Sequence, residues 1–209
     1  MFLLNLVFIH FMALVTPGPD FMFVSQQSMK KNNILLSVLG VTSGVVIWSL
    51  IAILGLSIFP NKFPFVIEIL KLLGGCYLIY LGLLILKSLK NIDNESIKAS
   101  SDTLSKTGKQ VFFTGLLSNL SNPKTLVYFG SVFSILIPYD SSLTLKILAF
   151  LLVSIETFLW FLLVSLIFSR EYLSNKYIVY RKKIEFTVGL IFIAFGTTFV
   201  ASPVLDYFL

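Results

Sequence analysis

Long apolar stretches recur along the 209-residue chain, and they limit its fold more than any other feature. Six can be placed, at about residues 2–24, 34–58, 66–87, 111–136, 143–168 and 184–205. A helix needs roughly 20 apolar residues to cross the hydrocarbon core of a membrane. Charged residues make up only 12% of the chain, whereas an ordinary soluble domain has about 25%. We therefore predict an all-α integral membrane protein with six transmembrane helices.

One long polar segment interrupts this pattern. Residues 88–110 are rich in Ser, Lys, Asn and Asp and separate the third apolar stretch from the fourth. We expect a single transmembrane domain over residues 1–209, built from a three-helix half at 1–87 and a second at 111–209. The segment 88–110 would be the polar cytoplasmic connection between them.

The two halves share features at corresponding places. Glycines spaced seven residues apart occur in the third and sixth stretches, at Gly75 and Gly82 and at Gly189 and Gly196. A proline followed by a charged residue occurs in the first and fourth stretches, at Pro19-Asp20 and Pro123-Lys124. Repeats of this kind are common in secondary transporters, and a repeat of three helices must be inserted with inverted topology. We predict two inverted three-helix repeats.

The distribution of basic residues predicts an orientation. Loops that remain in the cytoplasm carry an excess of Lys and Arg. Twelve basic residues border the first, third and fifth connections, whereas only Lys62, Lys71 and Lys146 lie on the other side. We therefore expect a multi-pass protein of the cell (inner) membrane with both termini outside the cytoplasm. A five-span alternative would move one terminus inward.

Prolines stand inside two of the apolar stretches, at Pro17 and Pro19, with Gly18 between them, and at Pro123. Proline removes a backbone donor and clashes with the preceding helical turn. In a membrane the freed backbone groups must be satisfied internally, so broken helices occur where they pack in protein or line a wet cavity. We expect helices one and four to be broken at these residues and to meet.

Polar side chains at the two breaks predict a site. Asp20 follows the first break and Lys124 the second, while Thr16, Asn119 and Asn122 add donors and acceptors. Charged residues at membrane depth usually face the interior of the bundle. Two interpretations remain open: an ion pair that joins the halves, or a binding site. Lys124 and a helix N-terminus would attract a carboxylate and Asp20 an ammonium, so the ligand would be a zwitterion such as an amino acid.

Glu156 is the only other carboxylate deep inside a predicted span. Intramembrane carboxylates often carry protons in transporters, and Glu156 is therefore a candidate proton carrier. The alternative is a neutral glutamic acid that joins helices through hydrogen bonds.

Residue counts disfavour other functional classes. The chain has one cysteine and one histidine, which excludes a redox dithiol or a thiolate metal cluster. The sequence shows no nucleophile–base pair of the kind that would indicate an enzyme. Its basic residues are spread over short loops, so they do not indicate a nucleic-acid partner. We expect no enzymatic activity, no cofactor and no bound metal.

Smaller features carry smaller predictions. Gly40 and Gly44 form a GxxxG pattern that predicts close helix packing. We interpret His10 as an interfacial or hydrogen-bonded histidine rather than a proton relay. Glu68 and Glu185 fall at the ends of predicted spans, where we expect interfacial positions.

At these residues the chain resembles the LysE/RhtB family of amino-acid exporters along its whole length. The resemblance is carried by Thr16-Pro17-Gly18-Pro19, by the segment from Lys71 to Gly82, by Asn119-Leu120-Ser121-Asn122-Pro123-Lys124, and by Gly189 with Gly196. It implies a secondary active transporter that exports amino acids or close derivatives from the cytoplasm of a bacterium, driven by protons. A metal-cation exporter of the same superfamily is the alternative, and a homo-oligomer is left open.

Overall fold

The computed structural model describes residues 2–62, 65–89, 107–137 and 140–208. These residues are almost all helical and contain no strand, which confirms the predicted all-α class. The helices are α1 (Phe2–Val15), α2 (Pro19–Met29), α3 (Ile34–Lys62), α4 (Phe65–Ser88), α5 (Gly108–Leu120), α6 (Pro123–Val127), α7 (Phe133–Leu136), α8 (Leu143–Phe168) and α9 (Glu171–Phe208), with a π-helical turn at Tyr128–Val132 between α6 and α7. Most of the predicted connection 88–110 lies outside the described residues.

Local sequence explains where several helices begin. Thr107 caps α5 through a capping box, in which its hydroxyl accepts from the backbone of Gln110 and the Gln110 side chain accepts from the Thr107 backbone. Ser142 caps α8 with its side chain alone, which accepts from the backbone N–H of Leu145. Pro19 and Pro123 occupy first helical positions, where the missing N–H would have no helical partner in any case.

The described part of the chain contains three helices long and apolar enough to cross a membrane, within α3, α8 and α9. The helices α1 and α2 are bent by 60° relative to each other and together qualify as a fourth, broken span. Apolar side chains cover the outer surface, including Leu4 at 74% exposure and Leu143 at 72%. A surface of this kind belongs against lipid.

The last helix differs from its prediction because α9 begins at Glu171, well before residue 184. Lys and Arg in the intervening residues lower the hydropathy, yet they are good helix formers. One consequence concerns Glu185, which is only 3% exposed. Its Oε1 accepts a hydrogen bond of 2.6 Å from Nε of buried Arg181, one turn earlier. Glu185 is therefore buried within the protein and paired with Arg181, while its interfacial depth in the membrane stays a prediction. The side chain of Glu68 lies outside the described residues.

The helices α4 and α9 touch backbone to backbone at the spaced glycines. A Cβ added to Gly75 would lie 2.9 Å from the carbonyl oxygen of Gly196, and one added to Gly82 would lie 2.6 Å from that of Gly189. The reverse contacts are equally tight, at 2.6 Å for Gly196 and 3.2 Å for Gly189. Such distances leave no room for a side chain, so these glycines permit the close antiparallel crossing.

The glycines of α3 permit a similarly close approach to α5. A Cβ on Gly40 would lie 2.2 Å from the carbonyl oxygen of Phe112, and one on Gly44 would lie 2.4 Å from Oδ1 of Asn119. The predicted close packing at Gly40 and Gly44 is confirmed. The second contact also holds the Asn119 side chain in place at the end of α5.

Candidate functional site

Two helix interruptions lie next to each other. The first is Thr16–Gly18 between α1 and α2, where Gly18 adopts an extended backbone before Pro19. The second is at residues 121–122 between α5 and α6, where the Oδ1 of Asn122 accepts from the backbone N–H of Lys124 at 3.0 Å. Every residue predicted from the sequence at the two breaks lies at this junction.

The Asp20 carboxylate joins the two interruptions. It is 7% exposed and begins α2. Its Oδ2 accepts hydrogen bonds of 2.9 Å from Nδ2 of Asn119 and from Nδ2 of Asn122. Its Oδ1 accepts a bond of 3.1 Å from the hydroxyl of Ser118. Three neutral donors at the second interruption, two of them in the last turn of α5, therefore hold this carboxylate.

Lys124 makes the reciprocal connection. Its Nζ donates a hydrogen bond of 2.8 Å to the carbonyl oxygen of Thr16, the residue directly after α1. The same Nζ lies 3.8 Å from the position a Cβ would take on Gly18. In the described part of the chain, Asp20 and Lys124 do not form a direct salt bridge. Each charge is instead bonded to uncharged groups of the opposite interruption.

A cavity lies between these groups. Its volume available to the centres of water molecules is about 40 Å³. The polar lining comprises His10, Thr16, Asp20, Asn119, Asn122, Lys124, Thr125 and Tyr128, and the apolar lining includes Ala13, Leu14, Phe21, Val45, Phe129 and Phe161. The five residues predicted to bind a ligand thus share one cavity with a carboxylate and an ammonium on its wall.

Glu156 does not join this site. Its carboxyl lines a separate groove between α1 and α8 whose other lining residues are apolar, among them Val7, Phe11 and Trp160. The Oε2 atom is buried and has no hydrogen-bond partner among the described residues. The candidate proton carrier thus lines a different groove, although its carboxyl interacts electrostatically with Tyr128, which lines the charged cavity.

Sequence reasoning missed four residues at the site: His10, Ser118, Tyr128 and Thr157. Ser118 directly precedes Asn119 in the last turn of α5, so the run of polar residues before the second break could have pointed to it. His10 is an ionisable residue in a helix whose other residues, apart from Asn5, are apolar, and such residues usually face the interior. Nothing in the local sequence singles out Tyr128 or Thr157.

The structure offers little to a metal ion. Among the residues it describes, no group of three or more His, Cys, Asp or Glu side chains is placed to hold one. The ammonium of Lys124 also opposes a cation in the cavity.

Comparisons with known proteins place the chain in a family. Residues 11–202 match the family described as LysE type translocator. The chain is 38% identical to an uncharacterized membrane protein of Haemophilus influenzae over 97% of each chain. It is 35% identical to the threonine efflux protein of Escherichia coli, over 97% of this chain and 98% of that protein. It is also 28% identical to a leucine efflux protein of Salmonella choleraesuis, over 89% of this chain and 88% of that protein.

No solved structure gives a significant match. The family match nevertheless covers most of the chain and confirms the resemblance read from the motifs. Members of the family are translocators and efflux proteins, which confirms the prediction of a transporter rather than an enzyme. The chain belongs to the LysE type translocator family and is a multi-pass membrane transporter.

Proposed function

We propose that this protein exports amino acids or close derivatives from the bacterial cytoplasm through the cavity between the two helix interruptions. One observation carries the proposal: a carboxylate and an ammonium line the same buried cavity without forming a direct salt bridge among the described residues. The efflux of threonine and of leucine by relatives supports the same substrate class.

Unused hydrogen-bonding capacity suggests how a zwitterion binds. An ammonium has three donors, and Lys124 uses one of them on Thr16, which leaves two for a substrate carboxylate. A carboxylate has about four acceptor positions, of which Asp20 uses three. The remaining position, together with the Oδ1 of Asn119, would accept from the substrate ammonium. Both site charges are then used by the amino and carboxyl groups that every amino acid carries.

The size of the cavity points to movement during transport. A water molecule needs roughly 10–15 Å³ of such volume, so 40 Å³ holds only a few waters and is too small for an amino acid. Binding therefore requires the helices around the cavity to separate. We assign this movement to alternating access, in which two halves rock about the site.

The reciprocal contacts support an inverted repeat. Gly75 faces Gly196 and Gly82 faces Gly189. Exchanging α4 with α9, the third and sixth predicted spans, therefore leaves the same pattern of glycine contacts. The two breaks make corresponding contacts, since Asp20 accepts from residues at and just before the second break and Lys124 donates to a residue of the first. We therefore retain two three-helix halves in one domain, at 1–87 and 111–209. The excess of basic residues in alternate connections supports both termini lying outside the cytoplasm, in the inner membrane.

Protons are the proposed coupling ions. The Oε2 atom of Glu156 is buried and has no hydrogen-bond partner in the described residues, which suits a group that binds and releases a proton. Glu156 lines a separate groove, and it would couple to the cavity through its electrostatic interaction with Tyr128 and through movement of α1 against α8.

The test is efflux from proteoliposomes loaded with a mixture of the common amino acids and given a proton gradient. Selective loss of one or a few amino acids that depends on the gradient is the expected result. The variant Lys124→Gln keeps a hydrogen-bonding side chain that is one atom shorter and removes its charge, and we expect it to lower efflux roughly 10- to 100-fold, as the loss of hydrogen bonds from a charged group predicts. Lys183→Gln, at an exposed position, is the matched control. Absence of selective loss with folded protein, or unchanged affinity in Lys124→Gln, would contradict the proposal.

A further inference from the structure

Two polar groups on the cavity wall take no part in the arrangement of Asp20 and Lys124. His10 comes from α1 and is 2% exposed, and Tyr128 comes from the π-helical turn and is 5% exposed. Their ring centroids are 5.2 Å apart. Both residues line the cavity, although neither was assigned to a binding site above.

The hydrogen bonds of Thr157 favour one tautomer of His10. The Thr157 hydroxyl lies 2.7 Å from the carbonyl oxygen of Val153, to which it donates. The same hydroxyl lies 3.0 Å from Nε2 of His10, and it accepts there when Nε2 carries the hydrogen. A neutral imidazole has one donor and one acceptor, so Nδ1 is the acceptor in this tautomer.

That acceptor has no partner among the residues the structure describes, and neither does the hydroxyl of Tyr128. A buried polar group without a hydrogen bond is costly, and a native structure rarely retains two of them side by side without a reason. A π-helical turn, such as the one that carries Tyr128, is frequent at functional sites. A ligand group that both donates and accepts would satisfy the two atoms together.

We propose that His10 and Tyr128 form a subsite for the substrate side chain and that this subsite recognises a hydroxyl group. The hydroxyl donates to Nδ1 of His10 and accepts from the phenol of Tyr128. This assignment rests on the proposed export of amino acids, because Lys124 and Asp20 orient the substrate so that its side chain faces this wall. Thr157 is a positioning residue that holds the imidazole with Nδ1 toward the cavity.

The subsite predicts which of two amino acids of equal shape the protein exports faster. Threonine and valine have the same size, but a methyl group replaces the hydroxyl in valine. A site whose polar atoms are left unpaired by the wrong substrate rejects it more strongly than an apolar pocket would. We expect proteoliposomes to export threonine at least about tenfold faster than valine at equal subsaturating concentration.

Variants separate recognition from structure. Tyr128→Phe removes only the hydroxyl and should reduce the threonine-to-valine ratio about five- to tenfold, through slower threonine export, as the loss of one hydrogen bond predicts. Thr157→Val should reduce the ratio in the same way, and Thr157→Ser should retain it. Tyr80→Phe is the matched control, because Tyr80 is 58% exposed and should leave the ratio unchanged.

The outcomes distinguish the two proposals. Amino-acid export by the unaltered protein without preference for threonine over valine would overturn the hydroxyl subsite and leave the proposed function standing. Equal slowing of threonine and valine in Tyr128→Phe would also overturn it, because that result indicates a packing role. Failure of the folded protein to export any amino acid would instead refute the proposed function itself, and the subsite with it.

Discussion

Gly44 in α3 offers a sensitive test of the site, because a side chain added at this position would meet Asn119. A Cβ at this position would be 2.4 Å from Oδ1, 2.7 Å from Cβ and 2.8 Å from Cγ of Asn119. Ordinary contacts between such atoms are about 3.5–4.0 Å. Gly44→Ala must therefore displace the Asn119 side chain by about 1 Å. The Asn119 amide donates to Asp20 at 2.9 Å, and a displacement of this size would break the bond, because such bonds extend only to about 3.2 Å.

The expected magnitude follows from two terms. Overpacking a close-packed site costs about 1–3 kcal/mol, and losing a hydrogen bond to a charged group costs about 1.5–3 kcal/mol. Alanine returns about 1 kcal/mol through its better helix propensity. We expect Gly44→Ala to lower the free energy of unfolding by about 3 kcal/mol and to slow amino-acid export more than tenfold.

Gly55 provides the matched control in the same helix. A Cβ there meets nothing within 4 Å in the part of the chain that the structure describes, so Gly55→Ala should be neutral or slightly stabilising. Thermal unfolding in detergent and efflux from proteoliposomes measure the two effects. If Gly44→Ala behaves like Gly55→Ala in both assays, then the contact of α3 with Asn119 does not hold the site, and our reasoning from packing is refuted.

Two further predictions concern ionisable groups outside the cavity. If the carboxyl of Glu156 carries the coupled proton, Glu156→Gln should abolish export driven by a proton gradient and leave gradient-independent exchange of substrate intact. Equal export rates for the variant and the unaltered protein at each imposed gradient would instead assign Glu156 to packing. Arg181→Met should lower the free energy of unfolding by about 3 kcal/mol, because it leaves Glu185 buried without its 2.6 Å partner. The double variant Arg181→Met with Glu185→Leu should recover most of that loss, and a double variant no more stable than the single one would show that the pair is not the cause.

Much of the helical arrangement could be predicted because hydropathy and proline act locally. Apolar runs of sufficient length must form helices in a membrane, since no water is available for their backbone groups. Proline removes a backbone donor and clashes with the preceding helical turn, and the residues next to Pro19 and Pro123 were therefore recognisable as site candidates. The rule is not absolute, because Pro60 and Pro203 lie within α3 and α9. The beginning of α9 was missed because hydropathy marks the membrane-embedded part of a helix, whereas the helix itself extends into the basic residues before it.

Side-chain partners are a different matter, because they depend on how each helix is rotated about its own axis. The sequence left open whether Asp20 and Lys124 pair directly or bind a ligand, and in the structure their hydrogen bonds go to uncharged groups at the opposite break. The burial of Glu185 depends on Arg181 within α9, and the separation of Glu156 from the cavity depends on which face α8 turns toward α1.

The amino-acid sequence by itself determined that this protein is a helical membrane protein, where its helices are interrupted, and which charges stand at the interruptions. Only the tertiary structure decided which of these groups meet. His10 and Thr157 are 147 positions apart, and Asp20 and Asn122 are 102 apart. Contacts over such separations arise from packing the helices against one another, and no local property of the chain specifies them.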